Sequence, residues 1–165
     1  MPQKIILDVD TGTDDAVALM CGALHPGLEL VAATTVNGNV QVEYCTANTL
    51  RVFDYIGVNI PVYEGMSSPL VRPDFPIPRR IIDGDEETSM HGKYLGIPAE
   101  KSVKQSQHAV DFLIEYYMSG AGDDTVLVPV GPLTNVAMAI RQEPRIVEHI
   151  PAMMVMGGGH DIGNV

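Results

Sequence analysis

The chain has 165 residues, a hydrophobic share of 45% and a formal net charge of −11 at pH 7. That length and apolar content suffice for one α/β-sized domain with a buried core, and they exclude a disordered chain. The acidic balance argues against a nucleic-acid partner, which would need clustered Lys and Arg, and no apolar run is long enough to span a membrane.

Met1-Pro2-Gln3-Lys4 leads straight into Ile5–Val9, an apolar run of the kind expected for a strand buried on both faces. There is no signal-peptide pattern. Ala16–Leu24 has helical spacing and is stopped by His25-Pro26-Gly27. Leu30–Val36 predicts a second strand. Val42–Ile56 predicts a second helix, ended by Gly57, and Pro61–Tyr63 a short third strand. Residues 65–100 are dense in proline and carry the acidic run Asp83-Gly84-Asp85-Glu86-Glu87, which predicts a long flexible flap. Helical spacing resumes over Ser102–Met118. Thr125–Val130 predicts a strand, Pro132–Ile140 a helix with proline at its start, and Glu143–His149 a further helical piece. Ala152–Met156 predicts a last strand running into Gly157-Gly158-Gly159, with Met153, Met154 and Met156 in the core. Cys21 and Cys45 form no CxxC pair or disulfide framework, so a reducing cytoplasm is the expected location.

This alternation predicts an α/β fold of one domain over residues 1–165, with a mostly parallel, doubly wound open sheet. Ligands in such sheets bind beyond the carboxyl ends of the strands. Asp10 follows the first strand, Asn37 and Asn39 the second, and Gly157–Asn164 the last, so one pocket can collect all three.

The densest chemistry is Asp8-Val9-Asp10-Thr11-Gly12-Thr13-Asp14-Asp15, four carboxylates in eight residues at a strand-to-helix junction. Packed carboxylates repel one another unless protons, hydrogen bonds or a hard cation compensate. Helix capping, with Thr13 as N-cap and Asp14 and Asp15 in the first turn, explains two of the acids. It leaves Asp8 and Asp10 unexplained. Asp10 and Asp15 can share a cation while Asp14 faces a substrate hydroxyl. An EF-hand is excluded, because Gly12 falls too early in the loop and no glutamate closes it. Asn37-Gly38-Asn39 reads as a turn whose position makes Asn39 a candidate ligand. Gly131-Pro132-Leu133-Thr134-Asn135 is a strand-to-helix turn whose carbonyls can reach a cation. His91 lies in the flap and is a candidate acid for a leaving group. The triple glycine suggests close backbone approach to a ligand.

Taken together, these residues resemble the inosine–uridine preferring nucleoside hydrolase family, specifically its N-terminal half. Asp8 to Ala16 is similar to the family's opening signature, and Val130–Asn135 and Val155–Gly159 are similar to two further motifs in the same order. The resemblance implies a Rossmann-like nucleoside hydrolase fold, and Ca2+-dependent hydrolysis of the N-glycosidic bond of ribonucleosides. By it, Asp10, Asp15 and the carbonyl of Val130 would bind Ca2+, and Asp10 would also take the proton of the attacking water. Asp14, Asn39 and Asn164 would hold the ribose, Met156 would line its pocket, and His91 would sit near the base as the catalytic acid. Such a reaction passes through an oxocarbenium-like sugar, which nearby carboxylates stabilise. The resemblance also implies a homodimer or homotetramer. Family chains are longer and supply further ligands, so a truncated, non-catalytic sugar- or metal-binding subunit is the alternative expectation. A more distant one is a haloacid-dehalogenase-type Mg2+ phosphatase, suggested by Asp8-Val9-Asp10 but poorly matched by Thr11-Gly12-Thr13.

Overall fold

The computed structural model describes residues 1–71 and 92–158. Among them, four strands form one parallel sheet: β1 (Gln3–Val9), β2 (Leu28–Thr35), β3 (Val62–Glu64) and β4 (Thr125–Pro129). Their order is β3-β2-β1-β4, so the chain winds outward from β1 and then crosses back to its other side. The helices among the described residues are α1 (Thr13–Leu24), α2 (Val42–Ile56), α3 (Ala109–Met118), α4 (Thr134–Gln142) and α5 (Ile146–His149).

The alternation of side chains along β1 builds two cores. Ile5, Leu7 and Val9 pack in one cluster with Ala16 and Leu19 of α1 and Leu50, Val52 and Phe53 of α2. Ile6 points the opposite way, into a cluster with Val110, Leu113 and Tyr117 of α3, Val136 and Ala139 of α4 and Ile146 of α5. A parallel strand covered on both faces needs apolar residues at successive positions, which is what β1 supplies. The doubly wound parallel architecture is therefore as expected from sequence.

Local chemistry sets the helix ends. Gly57 closes α2 in the left-handed conformation at φ 75°, which costs glycine nothing. His108 Nδ1 accepts from Val110 N at 3.2 Å and starts α3. The helix expected from Ser102 thus begins seven residues later, at Ala109. The reason is a competing partner: Asp54 accepts from the backbone N–H groups of Lys101 and Ser102 at 2.6 and 3.0 Å. Gln105 N then donates to Val62 O at 2.8 Å. These contacts hold residues 101–105 out of a helix, at the end of a non-helical strap that begins at residue 92.

The expected last strand needs a larger correction. Ala152–Met156 runs along β4, with Leu127 N donating to Ala152 O, Met154 N to Leu127 O and Met156 N to Pro129 O. Only one isolated bridge, Leu127 to Met153, forms. Nothing among the described residues covers its far side, so Met153, Met154 and Met156 are exposed at 45–68% rather than in the core. The predicted flap falls mainly on residues 72–91, outside the described residues. No helix among the described residues is long and apolar enough to cross a membrane.

Candidate active site

The crossover in strand order places a crevice at the carboxyl ends of β1 and β4, the position where open α/β sheets bind ligands. Three strand ends meet there. Asp10 leaves β1 and is buried. Its Oδ2 accepts from Asn39 N at 2.8 Å, and its carbonyl from Asn39 Nδ2 at 3.2 Å, which ties the end of β2 to it. Gly38 approaches so closely that an added Cβ would lie 2.1 Å from Asp10 Oδ2. From the β4 side, a Cβ on Gly131 would lie 2.9 Å from both Asp10 N and Asp10 Oδ1. Asp10 is thus clamped between two glycine turns. The turn after β4 is itself held to β1, because Val130 N and Gly131 N both donate to Asp8 O, at 2.9 and 3.1 Å.

Asp15 and Asp14 enter from α1. Gly12, not Thr13, is the N-cap, and Asp15 reaches back to accept from Gly12 N at 3.0 Å. Capping is therefore part of the role of Asp15, as one half of a capping box. It is also buried, and burial pushes its carboxyl up to about 7. The Gly12 N–H pulls the other way, and the charges of Asp10 and Asp14 push further up. Asp14 is exposed at the mouth of the same turn.

Sequence reasoning gave Asp8 a role only in the phosphatase alternative, and none to Thr34 or Asn135. Asp8 is fully buried on the face of Ile6, and its Oδ1 accepts from Thr34 Oγ1 and Asn135 Nδ2, both at 2.7 Å. Its Oδ2 has no partner among the described residues. Burial pushes its carboxyl up to about 7 against the pull of those two donors. An aspartate inside an otherwise apolar strand was the available signal.

These two carboxyls set a pH dependence whose sign is opposite to the usual aspartate case. Their folded-state pKa values lie above the unfolded value of about 4, so between pH 4 and 7 the folded chain binds more protons than the unfolded one. Stability should fall as pH rises through that window and level off above it. Hydrogen bonds and ion pairs hold the carboxyls of Asp54, Glu100, Asp124 and Glu143 below their ordinary values, so what they contribute is present at neutral pH and is lost only toward acid. We expect a higher melting temperature at pH 5 than at pH 8 in metal-free buffer, by calorimetry; a melting temperature rising with pH would contradict this account.

The remaining expected residues are dispersed. Met156 is half exposed and its N–H meets Pro129 O, next to Val130. Added Cβ atoms at Gly157 and Gly158 meet nothing within 4 Å, so φ values of 150° and 83°, rather than crowding, call for glycine there. His91 and Asn164 lie outside the described residues. Among the described residues, no three His, Cys, Asp or Glu side chains form a group able to hold a metal. Ca2+ takes about six to eight oxygens, more than Asp10, Asp15 and one turn carbonyl would supply, so these residues would fit a hard cation only in part.

The model of one family, described as inosine-uridine preferring nucleoside hydrolase, matches residues 5–165. An inosine-uridine preferring nucleoside hydrolase from Leishmania major is 44% identical, over 99% of this chain and 51% of its own length. A pyrimidine-specific ribonucleoside hydrolase from Escherichia coli is 41% identical, over 98% and 50%. Among solved structures, a purine-preferring ribonucleoside hydrolase from Gardnerella vaginalis superposes with a TM-score of 0.79 at 33% identity, covering 95% of this chain and 49% of its own. The chain spans about half the length of the curated relatives it matches. These matches run against the phosphatase alternative.

Proposed function

This chain belongs to the inosine–uridine preferring nucleoside hydrolase family, and on that premise we propose that its acidic loop is the ribose and metal side of a site that hydrolyses ribonucleosides. The observation that carries the proposal is the clamping of Asp10 by Gly38, Asn39 and Gly131 at the crossover of the sheet. A carboxylate held that firmly by backbone is oriented before any ligand arrives, which is what proton abstraction requires.

Asp10, Asp15 and the Val130 carbonyl would hold a divalent cation, for which Ca2+ is the choice the hard oxygen donors favour. When bound, the cation supplies a Lewis-acid centre that polarises oxygen atoms near the sugar. Asp10 takes a proton from water as that water adds to C1′ of the ribose. The C1′–N bond breaks and its electron pair leaves with the base. Asp14, at the exposed mouth, and Asn39 hold ribose hydroxyls, with Asn164 completing the set and Met156 against the sugar. His91 donates the proton that neutralises the departing base. The acidic surroundings stabilise the positive charge developing on the sugar. Cytoplasmic location and a homodimer or homotetramer are parts of the same reading, as is one α/β domain over residues 1–165.

A second reading is favoured by the absence of a third acidic ligand among the described residues. In it, the chain binds cation or sugar without turnover. Ribose release from inosine and uridine, on protein of verified intact mass, separates the two. Release abolished by a chelator and restored by Ca2+ supports the hydrolase. Cation binding without release supports the second reading. Release that persists in Asp10→Ala rejects the role given to Asp10.

A further inference from the structure

We infer that Asn48, on α2, is a positioning residue that couples the acidic loop to the strap at residues 92–102; the inference rests on the reading of Asp10 and Asp15 as cation ligands. Helix α2 turns an unusually polar face inward, with Thr46, Asn48 and Thr49 all buried. The two threonines hydrogen-bond carbonyls of their own helix, Val42 O and Cys45 O, at 2.8 and 2.9 Å. Their hydroxyls also meet Thr35 and Thr11, at 2.7 and 2.6 Å. Such contacts anchor a helix to its sheet.

Asn48 does something different, because its amide joins two segments that have no sequence relation. Its Nδ2 donates to Thr11 O, inside the acidic loop, at 3.3 Å and to Lys93 O at 3.2 Å. Its Oδ1 accepts from Leu95 N at 3.0 Å. Two donors and one acceptor are therefore all used at a position that is 1% exposed. An aspartate there would set a carboxylate oxygen against two carbonyls, and an alanine would leave three backbone groups unsatisfied.

Asn48 is also the end of a row. Arg51 and Asp54 follow at successive intervals of three, on one side of the helix. Arg51 pairs with Glu100 at 2.7 Å and lies 4.1 Å over the Tyr94 ring, and Asp54 takes the N–H groups of Lys101 and Ser102. The row clasps the strap along its length. Only its first member, Asn48, also touches the loop that carries Asp10 and Asp15. A shift of the strap thus reaches Thr11, one residue from Asp10, through a buried amide that bonds both segments.

Amide hydrogen exchange on the full chain in metal-free buffer tests this, reading peptides over residues 8–15 and 92–97. Asn48→Ala should speed exchange in both peptides by about tenfold, since buried groups lose their partners at two places at once. Leu113→Ala, a cavity in the core on the opposite sheet face, controls for lost global stability: it should speed exchange in all strongly protected peptides alike and single out neither of these two. Should Asn48→Ala not fold, Asn48→Asp keeps the acceptor for Leu95 N and is read on the same peptides. Faster exchange at 92–97 alone, no change in either peptide, or acceleration spread evenly over all protected peptides as in Leu113→Ala overturns the inference. A Tb3+ luminescence titration then separates it from the reading it rests on. Asn48→Ala should weaken Tb3+ binding by about tenfold in folded protein. If the unaltered chain binds no Tb3+, the cation reading fails while the exchange data still decide the role of Asn48.

Discussion

Gly38→Ala is expected to cut the affinity of the acidic loop for a divalent or trivalent cation about a hundredfold, the equivalent of roughly 3 kcal/mol. The added Cβ would sit 2.1 Å from Asp10 Oδ2, 2.5 Å from Asp10 Cβ and 2.6 Å from Asp10 Cγ. No rotamer relieves contact with a Cβ and a Cγ together, so either the turn retreats or Asp10 is displaced. In both cases the Asn39 N–H loses its bond to the carboxylate. Gly57→Ala is the matched control. Its φ of 75° makes alanine strained, but nothing lies within 4 Å of the new Cβ, so it should cost about 1 kcal/mol of stability and leave cation affinity unchanged. Tb3+ luminescence on both variants gives the comparison. Equal affinity in Gly38→Ala and the unaltered chain would show that Asp10 is not a ligand at that geometry.

Asn135→Ala is expected to damage the fold as much as a large core truncation does, lowering the unfolding free energy by about 3–5 kcal/mol in urea titrations. Asn135 is fully buried. Its Nδ2 donates to Asp8 Oδ1 at 2.7 Å and to Thr35 O at 2.9 Å, and its Oδ1 accepts from Met66 N at 2.8 Å. It thus fastens β1, β2 and the residues just after β3 to the start of α4. The site is built for this amide, since a Cβ on Gly65 would lie 2.2 Å from Asn135 Oδ1. Losing the amide leaves Asp8, already burdened by burial, with one donor fewer. A loss below about 1 kcal/mol would mean that water or backbone adjustment replaces the three bonds.

The parts legible in the sequence are those governed by neighbours along the chain. Val42–Ile56 is helical over the predicted span because its apolar spacing and its closing Gly57 are local signals. Likewise, the three acids Asp10, Asp14 and Asp15 stand at a strand-to-helix junction because the apolar run before them and the helical run after them are both short-range patterns. The helix expected from Ser102 fails for the opposite reason: Asp54, far back in the sequence, captures that backbone first. The bonding roles of Asp8 and Asn48 went unassigned because their partners are distant, 127 residues away for the bond between Asn135 and Asp8 and 37 for that between Asn48 and Thr11. Met153, Met154 and Met156 have core-like composition, and composition cannot say whether anything stands opposite them.

The position of β1 between β2 and β4 also has a consequence during synthesis. Its β2 partner emerges within about 25 residues, whereas the bond from Gln3 to Asp124 spans 121. At ordinary translation speeds that interval is on the order of ten seconds. For that time the nascent chain carries a sheet with one flank of β1 bare, and Asp8 has no Asn135 to meet it. A ribosome stalled before residue 125 should therefore display an acidic loop open to protease, and one stalled well beyond residue 142 a protected one. The surroundings of the acidic loop are thus finished late, although its carboxylates are among the first residues made.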